Sequence, residues 1–142
     1  MGDKVLTDGD MVMFMPMFSP AIVMVQPGRI PGSGPAAIGG RKVCVEGDEA
    51  QVSVPGCTYF TPSHPIPGVG TLKIASLAAN QKATTTQTGG KKVLLKGGMF
   101  TAKFEVQSPA QQPTAAGPVP DASPQYSGQG QFMPVNQQVS AS

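Results

Sequence analysis

A glycine-bracketed stretch occurs twice in the sequence, and it constrains the fold more than any other feature. It reads GGRKVCVEG at residues 39–47 and GGKKVLLKG at residues 89–97. In both copies Gly-Gly is followed by a basic residue, then by Lys-Val, and a further glycine closes the stretch. Glycine permits sharp backbone corners, and the residues between the glycines have the length of a short strand. The repeat therefore predicts a structure assembled from similar short β units.

Each copy continues into a second alternating stretch, so residues 39–54 and 89–106 each read as a strand, a glycine turn and a strand. The apolar runs MVMFM (residues 11–15) and AIVMV (residues 21–25) predict a third, similar hairpin. Alternation over residues 71–76 predicts one more strand. Together these patterns indicate a small conical β structure of short hairpins with pseudo-threefold symmetry.

The abundance of glycine and proline argues against a helical protein. The chain of 142 residues contains 18 Gly and 15 Pro, and only 13% of its residues are charged. Both residue types interrupt helices and favour turns. The net charge of +2 is too small for nucleic-acid binding, which needs a clustered basic surface. We therefore expect an all-β protein without a nucleic-acid partner.

The C-terminal quarter of the chain differs in composition from the rest. Residues 107–142 are rich in Pro, Gln, Ser, Gly and Ala, and Asp121 is their single charged residue. A segment with so little apolar surface has difficulty offsetting the entropy cost of folding. The sequence therefore predicts a β domain over residues 1–106, followed by a disordered, flexible low-complexity tail over residues 107–142.

Two stretches resemble the PAAR-repeat family and its PAAR-like relatives. Pro35 to Ile38, PAAI, is similar to the motif that names the family, with Ile38 in place of its arginine. Cys57 to Gly68, CTYFTPSHPIPG, resembles the loop of the PAAR-like branch, in which a Cys is followed by Thr-Pro and by Pro-x-Pro. The resemblance covers about residues 30–106.

The resemblance implies a structural protein at the tip of a contractile injection machine: a type VI secretion system, a phage tail or an extracellular phage-tail-like particle. Such a β cone caps a trimeric β-helical spike, with one copy per trimer, and sharpens it for piercing a target membrane, which it meets transiently. The protein would be a monomer within a larger assembly, and the Met-rich run over residues 11–24 is the candidate contact with the spike. The alternative is a small metal-binding or protein-interaction module without a spike partner.

The expected site of action follows from the same resemblance and from the start of the chain. MGDKVLTDGD is acidic rather than basic, so no secretory signal peptide is predicted. We expect synthesis in the bacterial cytoplasm and action at the tip of the apparatus, including outside the cell.

Three residues are candidates for a metal site. In the resembled family a metal near the tip is held by His and Cys, and Cys57 and His64 lie in the matching loop. Cys44 is added because thiolate is a good zinc ligand. The alternatives are two inert thiols with a loop histidine, a Cys44–Cys57 disulfide, or a thiol nucleophile with His64 as its base. From the ligand types we expect a zinc site. Because the chain contains no recognised catalytic motif, we expect no enzymatic activity.

Overall fold

The computed structural model describes residues 3–134 and 140–141. Within these residues the chain is almost entirely β structure, which confirms the predicted fold class. Two short 3₁₀ helices, Asp48–Gln51 and Ala79–Gln81, are the helical elements of this part of the chain. The strands are β1 (Asp3–Lys4), β2 (Asp10–Phe14), β3 (Met17–Phe18), β4 (Ala21–Val23), β5 (Gly28–Ile30), β6 (Ala37–Ile38), β7 (Arg41–Lys42), β8 (Ser53–Phe60), β9 (Gly68–Ser76), β10 (Lys82–Thr88), β11 (Lys91–Leu94), β12 (Phe100–Ser108), β13 (Gln111–Gln112), β14 (Val119–Pro120), β15 (Gln125–Met133) and β16 (Ser140–Ala141).

Eight strands form one antiparallel sheet in the order β3-β4-β8-β9-β12-β15-β2-β5. The sheet curls into a half-barrel. Phe18 of the edge strand β3 lies against Gly128 of β15, where an added Cβ would come within 2.7 Å of the Phe18 ring. The remaining strands form four separate pairs, β1–β16, β6–β7, β10–β11 and β13–β14.

Aromatic side chains fill the main core inside the half-barrel. Tyr59 and Phe104 have ring centroids 5.1 Å apart, and the rings of Phe100 and Phe132 are separated by the same distance. All four side chains are fully buried. Burying one aromatic side chain contributes about 2–3 kcal/mol to the stability of the fold. Phe100, Ala102 and Phe104 alternate along β12, and all three are buried.

The structure differs from the predicted domain boundary after Val106. Strand β12 continues to Ser108, and β15 lies inside the sheet between β12 and β2. The reason is alternation: Tyr126 and Phe132 point into the core, while Ser127 and the glutamines of β15 occupy the opposite face. Composition alone underestimates such a strand, because two aromatic rings and two glycines suffice for its inner face. The predicted tail residues 135–139 and 142 lie outside the described residues.

A buried carboxylate fixes residues 109–124 to the sheet. Asp121 accepts hydrogen bonds from the hydroxyls of Tyr59 (2.9 Å) and Tyr126 (2.6 Å), and its backbone N–H donates to the carbonyl of Ala110 (2.8 Å). Burial by itself raises the pKa of Asp121. The hydrogen bonds from Tyr126, the Ser123 N–H and Tyr59 act in the opposite direction, and the net pKa is lowered. Asp121, the single charged residue of the predicted tail, therefore holds this segment against the sheet.

The predicted hairpins pair differently from the expectation. Strand β2 pairs with β15 and β5, and β4 pairs with β3 and β8, so the Met-rich runs do not form a hairpin with each other. Likewise β8 and β12 join the large sheet instead of folding back on residues 42–46 and 92–96. Gly47 (φ +102°) and Gly97 (φ +51°) turn the chain away from the preceding strand, so they do not close hairpins.

Candidate functional site

The Gly-Gly pairs of the repeat are themselves hairpin turns. Gly39 and Gly40 have φ of +58° and +81°, and Gly89 and Gly90 have φ of +60° and +79°. Two consecutive residues with positive φ are the signature of a two-residue turn that matches the twist of a β hairpin. The turns connect β6 to β7 and β10 to β11. The hairpin partner of each repeated strand therefore precedes the glycines.

A third copy of the repeat lies at the start of the described chain, where sequence reasoning missed it. Residues 4–10 read KVLTDGD, beside KVCVEGD at residues 42–48 and KVLLKGG at residues 92–98. The shared pattern is Lys-Val, three variable residues and Gly. The Gly-Gly pair that marks the other two copies is Met1-Gly2 in this copy. A search for Lys-Val-x-x-x-Gly would have found all three.

The three segments close a ring through their central residues. The N–H of Leu6 donates to the carbonyl of Leu94 (3.0 Å), the N–H of Leu94 to that of Cys44 (2.9 Å), and the N–H of Cys44 to that of Leu6 (2.9 Å). Each segment therefore donates to one neighbour and accepts from the other. This cyclic pattern is the mark of a pseudo-threefold axis within one chain.

A second cycle of backbone hydrogen bonds surrounds the first and joins the C-terminal half of each segment to the N-terminal half of the next. Its donor and acceptor pairs are Asp8 N–H to Lys42 carbonyl (2.7 Å), Glu46 N–H to Lys92 carbonyl (2.9 Å) and Lys96 N–H to Lys4 carbonyl (2.9 Å). We call the segments 4–9, 42–47 and 92–97 the ring.

The two faces of the ring pack against different partners. Side chains alternate along each segment, so Leu6, Cys44 and Leu94 lie on one face and join the main core, each 0% exposed. The opposite face packs in a second cluster with Ala83 of β10 and Ile38 of β6; its ring members are Val5, Val43, Val93 and Leu95. Cys44 thus occupies the position that leucine holds in the other two copies.

Each ring segment begins within one strand of a two-stranded pair. Lys42 of β7 lies opposite Ala37 of β6, and Lys92 of β11 lies opposite Gln87 of β10. The third equivalent, Lys4 of β1, lies opposite Ser140 of β16. Residues 140–141 therefore complete the third side of the pseudo-threefold arrangement. We call the three pairs β1–β16, β6–β7 and β10–β11 the outer face.

The turns after the ring are stabilised in two different ways. Asp10 accepts the N–H of Thr7 (2.8 Å), and the equivalent Asp48 accepts the N–H of Val45 (2.9 Å). The third copy has glycine at this position. There the carbonyl of Gln81, a fully buried residue, accepts the N–H of Leu95 at 2.9 Å. The backbone symmetry is kept although the side-chain chemistry differs.

The candidate metal ligands do not come together as predicted. Among the described residues, no three His, Cys, Asp or Glu side chains form a group that can hold a metal ion. The thiol of Cys44 donates to the carbonyl of Pro31 (3.4 Å), and that of Cys57 to the carbonyl of Val54 (3.6 Å). His64 lies in the loop after β8, with Nδ1 3.0 Å from the Ser63 hydroxyl.

The pKa values of both cysteine thiols are raised in the folded protein. Burial, followed by the charges of Asp48, Asp10 and Asp8, raises the pKa of Cys44 far above its usual range. Burial also raises the pKa of Cys57. Both cysteines are free, so the alternative disulfide is absent from this structure.

The Met-rich run supplies a surface only in part. Met15, Met17 and Met24 are 37%, 59% and 61% exposed, whereas Met11 and Met13 are half-buried. Met99, just before β12, adds a fourth exposed methionine, and Met15, Met17 and Met99 line a common groove.

A comparison with known protein families shows to which family the chain belongs. The sequence model of the family described as contractile injection system spike tip protein matches residues 1–142. The chain belongs to this family. The resemblance to PAAR-like spike-tip proteins is thereby confirmed, and the spike tip protein is a part of an injection assembly that includes a spike. No curated protein matches the chain. In the described part of this spike tip protein, no helix is long and apolar enough to cross a membrane.

Proposed function

We propose that this spike tip protein caps the end of a trimeric β-helical spike, with one copy per trimer, and sharpens it for piercing a target membrane. The closed ring is the observation that carries the proposal. A threefold trimer presents the same surface three times, so a single bound chain needs three equivalent segments to meet it evenly. The ring gives one chain these segments.

The outer face is the proposed contact with the trimer. Two of its pairs pack on the side of the ring opposite the main core, through Ile38 of β6 and Ala83 of β10. Each pair is repeated about the pseudo-threefold axis, whereas the exposed methionines of residues 11–24 occur once. We therefore prefer the outer face to the Met-rich run that the sequence pattern favoured.

A lysine at the equivalent position of each pair specifies the partner further. Lys4, Lys42 and Lys92 occupy equivalent positions in the three pairs. A matching trimer end would carry one carboxylate from each of its chains. Exposed ion pairs contribute only ~0.5 kcal/mol each, so we assign the lysines a role in orientation and association rate more than in affinity.

The opposite end of the sheet would then lead into the membrane. Strands β8 and β12 start beside the ring and end at Phe60 and Ser108, which places the loops 61–67 and 109–124 away from it. These loops are rich in proline, which limits backbone freedom, and the Asp121 hydrogen bonds tie residues 109–124 to the sheet. Such bracing suits a tip that must withstand force.

Mixing with a purified spike trimer tests the proposal. We expect one copy per trimer by native mass spectrometry. Truncation after Pro134 removes β16 and with it one side of the outer face, but leaves β15 in the sheet. We expect this variant to keep its circular dichroism spectrum and to bind the trimer at least tenfold more weakly.

Charge variants provide the matched control. Lys42→Glu with Lys92→Glu should slow association and change its salt dependence, whereas Lys103→Glu on the outside of β12 should not. Three copies per trimer, or no binding by the full chain, would reject the capping role. Undiminished binding by the truncated chain would reject the outer face as the contact while leaving capping intact.

A further inference from the structure

The three strand pairs of the outer face occupy equivalent positions, but the chain connects them in different ways. Gly39-Gly40 joins β6 to β7, and Gly89-Gly90 joins β10 to β11, each through a turn of two residues. The third pair brings together β1 and β16, which come from opposite ends of the chain. Two sides of the outer face are therefore closed hairpins, whereas the third depends on the docking of a separate strand.

The docking of β16 on β1 has a higher entropy cost than the closing of either hairpin. Residues 134–139 connect β16 to β15, and a longer connection loses more chain entropy on closing than a turn of two residues does. The pair spans two residue positions, Asp3 with Ala141 and Lys4 with Ser140, so few contacts offset this cost. The pair should therefore open before either hairpin does.

Opening of this pair leaves the rest of the fold in place. Strand β15 is held by its register with β12 and β2, and its inner residues Tyr126 and Phe132 belong to the main core. The end of β1 is held by the ring, because the carbonyl of Lys4 accepts the N–H of Lys96. These contacts do not involve β16, so its opening is a local event.

We propose that β16 is a C-terminal strap, which opens and closes on β1 while the ring stays folded, and that seating on the spike trimer closes it. This inference rests on the proposed contact through the outer face, because only the closed strap completes the third side. A trimer that meets three equivalent sides binds the closed form best, and it shifts the population towards that form. The apparent affinity for the trimer is then lower than that of the closed form, in proportion to the fraction of free chains whose strap is closed.

Hydrogen exchange of the free, full-length protein tests the strap without any partner. The protection factors of the Asp3 and Ala141 amides are compared with those of Lys91 and Thr88, the equivalent pair in the closed hairpin β10–β11. We expect protection to be roughly tenfold lower at Asp3 and Ala141, because these amides exchange through local opening. Equal protection in the two pairs would overturn the strap, whether or not the protein binds a spike.

Two matched disulfides separate strap closure from other effects of substitution. Lys4→Cys with Ser140→Cys joins β16 to β1, and Gln87→Cys with Lys92→Cys joins the equivalent residues of a hairpin that is already closed. Opposite residues of antiparallel strands are close enough for such bonds, and both native cysteines are buried. Each variant loses one of the three equivalent lysines, so the effect of that loss is the same in both.

Binding to a purified spike trimer is then measured for the oxidised and the reduced form of each variant. We expect the Lys4→Cys, Ser140→Cys variant to bind about threefold more tightly when oxidised, because its strap no longer has to close. The hairpin variant should bind equally in both forms. Equal binding by the two forms of the strap variant would overturn the coupling to the spike while leaving the capping role intact. Absence of binding by every form, the wild type included, would reject the capping role, and with it the closure of the strap by the spike.

Discussion

The ring and the half-barrel reach stability by different routes. The ring joins three short segments, far apart in sequence, through two cycles of backbone hydrogen bonds, and only three side chains occupy its inner face. The half-barrel uses long strands and a core of stacked aromatic rings. The structure of the symmetric ring therefore depends mainly on backbone geometry, whereas that of the asymmetric half-barrel depends on the shapes of its core side chains.

Glycine substitutions are the strongest test of this contrast. A Cβ at Gly130 would lie 2.5 Å from the Phe100 ring and 2.7 Å from the Met13 carbonyl, whereas a Cβ at Gly40 has nothing within 4 Å. We expect Gly130→Ala to cost ~3 kcal/mol or more through overpacking. Gly40→Ala should cost ~1 kcal/mol through its positive φ alone. Urea unfolding of both variants measures the difference.

Equal losses for the two variants would contradict the separation of roles. A larger loss at Gly40 would show that the hairpin turns of the ring, and not the aromatic core, dominate stability.

The Asp121 cluster should give the next largest effect, confined to the half-barrel. Asp121→Ala leaves the hydroxyls of Tyr59 and Tyr126 without their acceptor, and we expect a loss of ~2–3 kcal/mol. Tyr126→Phe removes a single hydrogen bond and should cost ~1 kcal/mol. Thermal unfolding at pH 7 provides the measurement.

The same cluster predicts that the contribution of Asp121 to stability is lost at low pH. The pKa of Asp121 is lowered in the folded protein, so its stabilising contribution is present above the unfolded-state pKa of about 4 and is lost as pH falls through the folded value. The difference in melting temperature between wild type and Asp121→Ala should therefore shrink below pH 4. A constant difference down to pH 2 would count against the assignment.

Cysteine substitution should have the smallest effect, and it tests the zinc prediction. Cys44→Ala removes one buried sulfur from the ring and should cost ~1 kcal/mol, with or without a chelator. Elemental analysis of the purified protein measures zinc directly. If the purified protein contains one zinc per chain and the Cys57→Ser, His64→Ala double variant contains none, the predicted metal site exists.

Local patterns in the sequence predicted much of the sheet but not its pairing. Alternation identified the inner residues of β12 and the strand at residues 71–76, because side-chain direction is a local property. Pairing is not local. Strands β2 and β15 are separated by more than a hundred residues, and the sequence of neither strand indicates its partner.

The candidate site was likewise predicted only in part from the sequence. Two ring segments were recognised from their glycines, but the third was obscured because its hairpin partner, β16, comes from the other end of the chain. The role of Cys44 was equally hidden. Ligand type suggested a metal, and only the ring shows that the residue replaces a leucine.

The pairing of β1 with β16 has a practical consequence for protein engineering. It brings the beginning and the end of the described chain side by side at the outer face. Proteins with adjacent ends tolerate circular permutation, and the exposed turn at residues 114–117 is a suitable place for new ends. A permuted chain opened there would carry any fused domain at the opposite extremity of the sheet, clear of the three lysine-bearing pairs.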